Sequence, residues 1–187
     1  MSSKYKLWFL IMSVAFIVGI CSGSFQAVRT DSSAFFIAAS ESLHSPTLMM
    51  DSFLKAIRQS ALHIALFCIF GTTFIGAVPS AVLLGVRGYG LGQTVGALVS
   101  AFGFRGFLAA SIGVFPHHIL YVPFFCLLSV FGAGFSGQLL SESRDASRRL
   151  PTFFLTTLLL AVPILCGCLI EGYVSAPLLR SILTPLL

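Results

Sequence analysis

The sequence predicts an all-α, polytopic transmembrane helix bundle of about five spans, one of them a long segment broken by prolines. Three observations carry this. Of 187 residues, 57% are hydrophobic and 9% charged, whereas soluble domains carry about 25% charged residues. The mean hydropathy is +0.98. The apolar residues fall into runs of about 20 or more, the length a helix needs to cross a hydrocarbon core of about 30 Å. A soluble fold of this size cannot bury so much apolar surface, whereas a bilayer leaves it in contact with lipid. The length suits one membrane domain over residues 1–187.

The elements follow in order. Lys4 and Lys6 precede an apolar run over 7–28. Such a start imitates a signal peptide, but the run is long enough to span and no clear small-x-small cleavage site follows it, so it reads as an uncleaved first span. Residues 29–59 form the long polar connection, with Arg29, Asp31, Glu41, Asp51, Lys55 and Arg58. Within it Met49, Met50, Phe53, Leu54 and Ile57 recur at helical spacing between charges, which predicts an amphipathic interfacial helix leading into the next span. The second span is read over 60–85, containing Pro79, and a short glycine-rich third over 89–104. Residues 107–140 are apolar throughout, about 50 Å of helix at 1.5 Å per residue. Pro116 and Pro123 divide that segment, because each removes a backbone donor and favours a bend. Arg144, Arg148 and Arg149 mark a polar loop over 141–150, and the last span covers 151–170, with Pro163 inside it. The tail, 171–187, reads as an interfacial helix or a short hairpin.

Charge placement sets the orientation. Lys4 and Lys6 place the N-terminus in the cytoplasm, and the arginines of 141–150 belong on the same side. An even number of crossings must separate them, so 107–140 crosses once, bent, and the 29–59 connection lies outside. The formal net charge of +5 does not indicate nucleic acid, since the basic residues stand singly or flank apolar runs and form no stripe that tracks phosphates. Cys21, Cys68, Cys126, Cys166 and Cys168 lie inside apolar runs and read as small buried hydrophobes. Cys166-Gly167-Cys168 lacks C-x-x-C spacing. No pattern calls for a metal or a cofactor.

Three motifs stand out. Gly88, Gly92 and Gly96 form a double small-xxx-small register, a face on which another helix backbone, in the bundle or in a second copy, can pack closely. A dinucleotide loop is the competing reading of Gly88-x-Gly90, and it lacks a βαβ context. Gly134-Phe135-Ser136-Gly137 matches the G-x-S-G of rhomboid intramembrane proteases. Yet His44, His63, His117 and His118 all precede Ser136, and no base follows it, so the expectation is a packing element and no enzyme. His117 and His118, with Pro116, Tyr121 and Pro123, form the unusual polar cluster. Polar groups at membrane depth mark function by default, and a histidine can equally satisfy carbonyls that prolines release. Adjacent histidines point to different helix faces, so a metal site using both is not expected.

Gly71-x-x-x-x-Gly76, then Gly85-Val86-Arg87-Gly88-Tyr89-Gly90-Leu91-Gly92, then Phe115-Pro116-His117-His118-Ile119-Leu120-Tyr121-Val122-Pro123 stand in an order that resembles the stage II sporulation protein M family of bacterial membrane proteins. The resemblance covers roughly residues 60–137. This chain reads Arg87-Gly88 where many members have Asn-Gly, and His118 and Tyr121 stand where many have glycine and an acid. The resemblance implies five spans in the bacterial cell membrane and no known enzymatic activity. In endospore formers it implies an anchor for a peptidoglycan-degrading machine, including stage II sporulation proteins D and P, that drives engulfment of the forespore at the septum. The expected role is therefore a non-enzymatic membrane scaffold with the lipid bilayer and such proteins as partners and a homodimer as an option. The alternative is a transporter or channel subunit in which the broken histidine-bearing segment lines a path.

Overall fold

The computed structural model describes residues 3–29, 48–73, 75–141 and 143–183, with no described side chains at 3–5, 48, 140–141, 143–148 and 183. Among them the chain is helical almost throughout. The elements are α1 (Ser3–Arg29), α2 (Leu48–Gly71), α3 (Ala77–Phe102), α4 (Phe104–Gly113), α5 (Phe115–Ser141), α6 (Ser143–Ile170), a π-helical segment (Glu171–Ser175) and α7 (Ala176–Leu183). Five stretches are long and apolar enough to cross a membrane: Lys6–Arg29, Met49–Gly71, Ala77–Phe102, Phe115–Leu139 and Arg149–Ile182. Large apolar side chains cover their outward faces, as on α6, where Leu155, Leu158, Leu159 and Val162 are all more than half exposed. Without a bilayer that surface would aggregate; within one it needs no partner.

Contact register fixes the alternation. Phe16, Ile20 and Ser24 of α1 meet Gly88, Gly92 and Gly96 of α3 in rising order, so these helices run parallel. His63 and Phe67 of α2 lie against Phe125 of α5, and Phe67 and Gly71 against Gly132, which makes α2 and α5 parallel too. Phe153 of α6 stacks on Phe131 and Phe135 while Gly167 meets Tyr121, an antiparallel pair. This is the order of a chain that crosses five times. α5 is the central helix, with Tyr121, Phe125, Cys126, Leu128, Ser129, Val130, Ala133, Phe135 and Ser136 all buried. A smaller apolar cluster of Leu98, Ala109, Ala110 and Val114, with Leu179 and Ile182, joins α4 and α7 to the end of α3.

Several boundaries differ from the sequence reading. The expected spans over 60–85 and 89–104 are replaced by a turn after Gly71 and one helix over Ala77–Phe102. Thr73 and Gly76 close that turn through backbone bonds, Thr73 N to Phe70 O and Gly76 N to Thr73 O. Pro79 is accommodated in the first turn of α3, where a missing N–H leaves no carbonyl unsatisfied. The amphipathic segment around Met49–Ile57 is the start of α2 itself and continuous with it. Residues 143–150, expected as a loop, are the first turns of α6; the side chains of Arg144 and Arg148 lie outside the described residues, as do residues 30–47 of the expected outer connection. The long segment is indeed bent, but at Val114, and Gly103 (φ +56°) separates it from α3. Pro116 again occupies a first turn, and Pro123 leaves α5 unbroken. The tail 171–183 continues the last helix through the π segment into α7.

Candidate functional site

Arg87 sits 10 residues into α3, which starts at Ala77, or about 15 Å along the helix. That depth is close to half the hydrocarbon thickness. An arginine there needs partners. It has a guanidinium-to-ring distance of 4.6 Å on Phe125 and 5.4 Å on Tyr121, and Nη2 donates to Ser60 Oγ at 3.2 Å. Its Nε is buried and makes no hydrogen bond. The aromatic faces stabilise the cation through their quadrupoles, but among the described residues no carboxylate lies within salt-bridge distance.

Glu171 enters the same region from the π segment that follows α6. Tyr121 Oη donates to Glu171 Oε2 at 2.8 Å, with Cys168 Sγ 3.2 Å away. A single hydroxyl proton goes to the better acceptor, the carboxylate. Tyr121 therefore bridges the two charges, presenting its face to Arg87 and its hydroxyl to Glu171. The spans expected over 60–85 and 89–104 leave Arg87 between them and the expected tail holds Glu171; the structure places both within helical stretches instead, because the helix boundaries shift.

The histidines complete the wall. His117 Nδ1 lies 2.9 Å from Ser175 Oγ. His118 Nδ1 donates to Val114 O at 2.9 Å, closing a bond at the bend just before Pro116. His63 Nδ1 of α2 donates likewise to Gln59 O at 2.7 Å. The rings of His117 and His118 are 4.3 Å apart between centroids, and both line the cavity despite their adjacency in α5. Pro116 and Pro123 shape the backbone and are not among the lining residues. Among the described residues no three histidines, cysteines or acids converge as a metal site.

These groups surround a cavity of about 410 Å³ between α2, α3, the α4–α5 bend and the π segment. Pockets of roughly 300–1,000 Å³ hold small ligands. Arg87, Tyr121 and His63 form its deep end, and Ser52, Gly113 and Leu179 lie toward the face shared by the start of α2, the end of α3 and α7. Gln59, Val86 and Gly90 line it and are also exposed, so it reaches the lateral surface between α2 and α3.

The glycine register lies elsewhere. A Cβ on Gly96 would stand 2.9 Å from Ser24 Cα, and one on Gly88 or Gly92 would run into the backbone carbonyls of Phe16 and Ile20. Gly19 and Gly23 of α1 meet the α3 backbone in the same way, and Ser24 Oγ donates to Gly92 O at 3.1 Å. The face thus packs helices of one chain. Ser136 is remote from all histidines described. Its Oγ donates to Thr73 O at 2.6 Å and accepts from Gly76 N at 3.1 Å, holding the α2–α3 turn.

The family model described as Stage II sporulation protein M matches residues 9–176. That is 168 of the 187 residues (176 − 9 + 1) and reaches all five spanning stretches. No curated protein and no solved structure matches the chain. With a match over most of its length and five helices fit to cross a bilayer, this chain belongs to the stage II sporulation protein M family.

Proposed function

We propose that the chain is a non-enzymatic multi-pass scaffold of the bacterial cell membrane, N-terminus cytoplasmic, which anchors peptidoglycan-degrading machinery at the septal membrane during forespore engulfment. The family match over residues 9–176 is the observation that carries this reading. Helix parity supports the orientation, because the N-terminus with Lys4 and Lys6 shares a face with the start of α6, where Arg144, Arg148 and Arg149 stand, and cytoplasmic segments concentrate such residues. The connection between α1 and α2 then faces the wall and meets extracytoplasmic partners such as stage II sporulation proteins D and P. The test is to replace residues 30–47 with a neutral linker of equal length and to measure co-purification of those two proteins from sporulating cells. Recruitment is expected to fall about tenfold or more, the loss of roughly one good charged contact. Undiminished recruitment refutes the assignment.

The polar cavity favours a second reading, a transporter or channel subunit, since charged groups at membrane depth mark solute paths. Its test is flux in proteoliposomes over a broad solute panel. Flux abolished by His117→Ala establishes it, and no flux removes it.

A further inference from the structure

The cavity contains a cation, Arg87, and an acid, Glu171, which attract each other across Tyr121 but form no direct salt bridge among the described residues. Arg87 spends one hydrogen bond on Ser60 and has an unpaired Nε. Glu171 accepts a bond on Oε2 from Tyr121. A charge short of partners at membrane depth is costly, and a ligand group of opposite sign offsets that cost. A simple anion satisfies Arg87 but is repelled by Glu171, and a simple cation the reverse. A ligand bearing both signs a few ångströms apart satisfies both.

The neutral groups divide the same way. His118 and His63 use Nδ1 as a donor to the Val114 and Gln59 carbonyls, so in the neutral ring Nε2 is left as an acceptor. Acceptors suit an ammonium. The planar guanidinium suits phosphate oxygens. The cavity also opens sideways between α2 and α3 at Gln59, Val86 and Gly90, in helices whose outer faces meet lipid, while Leu91, Val114 and Leu179 supply apolar lining.

We propose that this cavity binds a phosphate ester carrying a primary ammonium, with Arg87 holding the phosphate and Glu171 the ammonium, and that its source is the head group of a phospholipid entering laterally between α2 and α3. The site stands independently of the scaffold role, because it rests on the cavity alone.

The full-length protein reconstituted in nanodiscs of mixed phosphatidylethanolamine and phosphatidylglycerol is released into the gas phase, and retained lipid is counted by native mass spectrometry. Wild type is expected to retain the ethanolamine lipid about ten- to hundredfold over the glycerol lipid, the factor for one charge-assisted hydrogen bond. Glu171→Gln should abolish that preference while still binding both lipids. Arg87→Gln should lose both, and Arg87→Lys should recover part of the binding, with the emission of Trp8 reporting that each variant is folded. Free phosphoethanolamine forms the second arm. If it fails to displace the lipid, the lipid is the source; if it binds alone with the same Arg87 and Glu171 dependence, the chemistry holds and the source is a soluble ester. Equal retention of the two lipids by wild type, or an unchanged preference in Glu171→Gln, overturns the proposal.

Discussion

Gly90 and Gly92 are two residues apart on α3, and alanine at the two positions should act with opposite sign. A Cβ on Gly92 would stand 2.8 Å from Ile20 C and 2.9 Å from Ile20 Cα. Ordinary carbon contacts begin at about 3.5 Å, so α1 must retreat by more than half an ångström. Every atom met is backbone, so no side chain can swing aside. A gap of 0.5–1 Å forfeits roughly a quarter to a half of each dispersion contact along the seam, and overpacking of this kind costs about 1–3 kcal/mol. A Cβ on Gly90 meets nothing within 4 Å, and alanine there restricts the unfolded backbone, for a change between zero and about 1 kcal/mol of stabilisation. The assay is reversible unfolding in mixed micelles, followed by circular dichroism and by emission of Trp8, the single tryptophan, which sits on α1 itself. The reasoning fails if the two variants shift stability in the same direction by similar amounts.

Other outcomes follow from single contacts. Ser136→Ala removes the hydroxyl that serves both Thr73 O and Gly76 N and should cost about 1–3 kcal/mol in the same unfolding assay; a neutral result would detach Ser136 from the turn. Gly103→Ala places a side chain at φ +56° and ψ −128°, a region held almost only by glycine, and should lower stability by about 1–3 kcal/mol, measured against the wild-type midpoint. Tyr121→Phe deletes the 2.8 Å bond to Glu171 and should destabilise by about 1.5–3 kcal/mol, the range for a bond to a charged group, falling to about 0.5–1.5 kcal/mol in a Glu171→Gln background, where a neutral amide oxygen accepts instead, as read in a double-mutant cycle.

The helical class and the number of spans were legible because length and hydropathy alone determine them. The boundaries were not. Residues 60–85 are one apolar run, and nothing in hydropathy marks a turn after Gly71; the turn is held by Ser136, which is 60 or more residues away and reaches it only in three dimensions. Arg87 looked like a loop residue because a charge at membrane depth is expensive, and what makes it tolerable, the rings of Tyr121 and Phe125 with the Ser60 hydroxyl, comes from two other helices. Once Arg87 moved inward, the cavity acquired its cation. Glu171 was hidden likewise, since a helix expected to end at 170 runs on through the π segment. The glycine register was readable as a packing face from its spacing, while its partner α1, with the matching Gly19 and Gly23, required the structure.

The path of the chain through the bilayer underlies the cavity, the orientation and the scaffold alike. In a background with the five native cysteines replaced, Thr73→Cys, Gly103→Cys and Arg87→Cys are labelled with a membrane-impermeant maleimide from each side of sealed vesicles. The account predicts that Thr73→Cys reacts only from the cytoplasmic side, Gly103→Cys only from the opposite side, and Arg87→Cys from neither. Rapid labelling of Arg87→Cys from the cytoplasm, with Thr73→Cys protected, would contradict it.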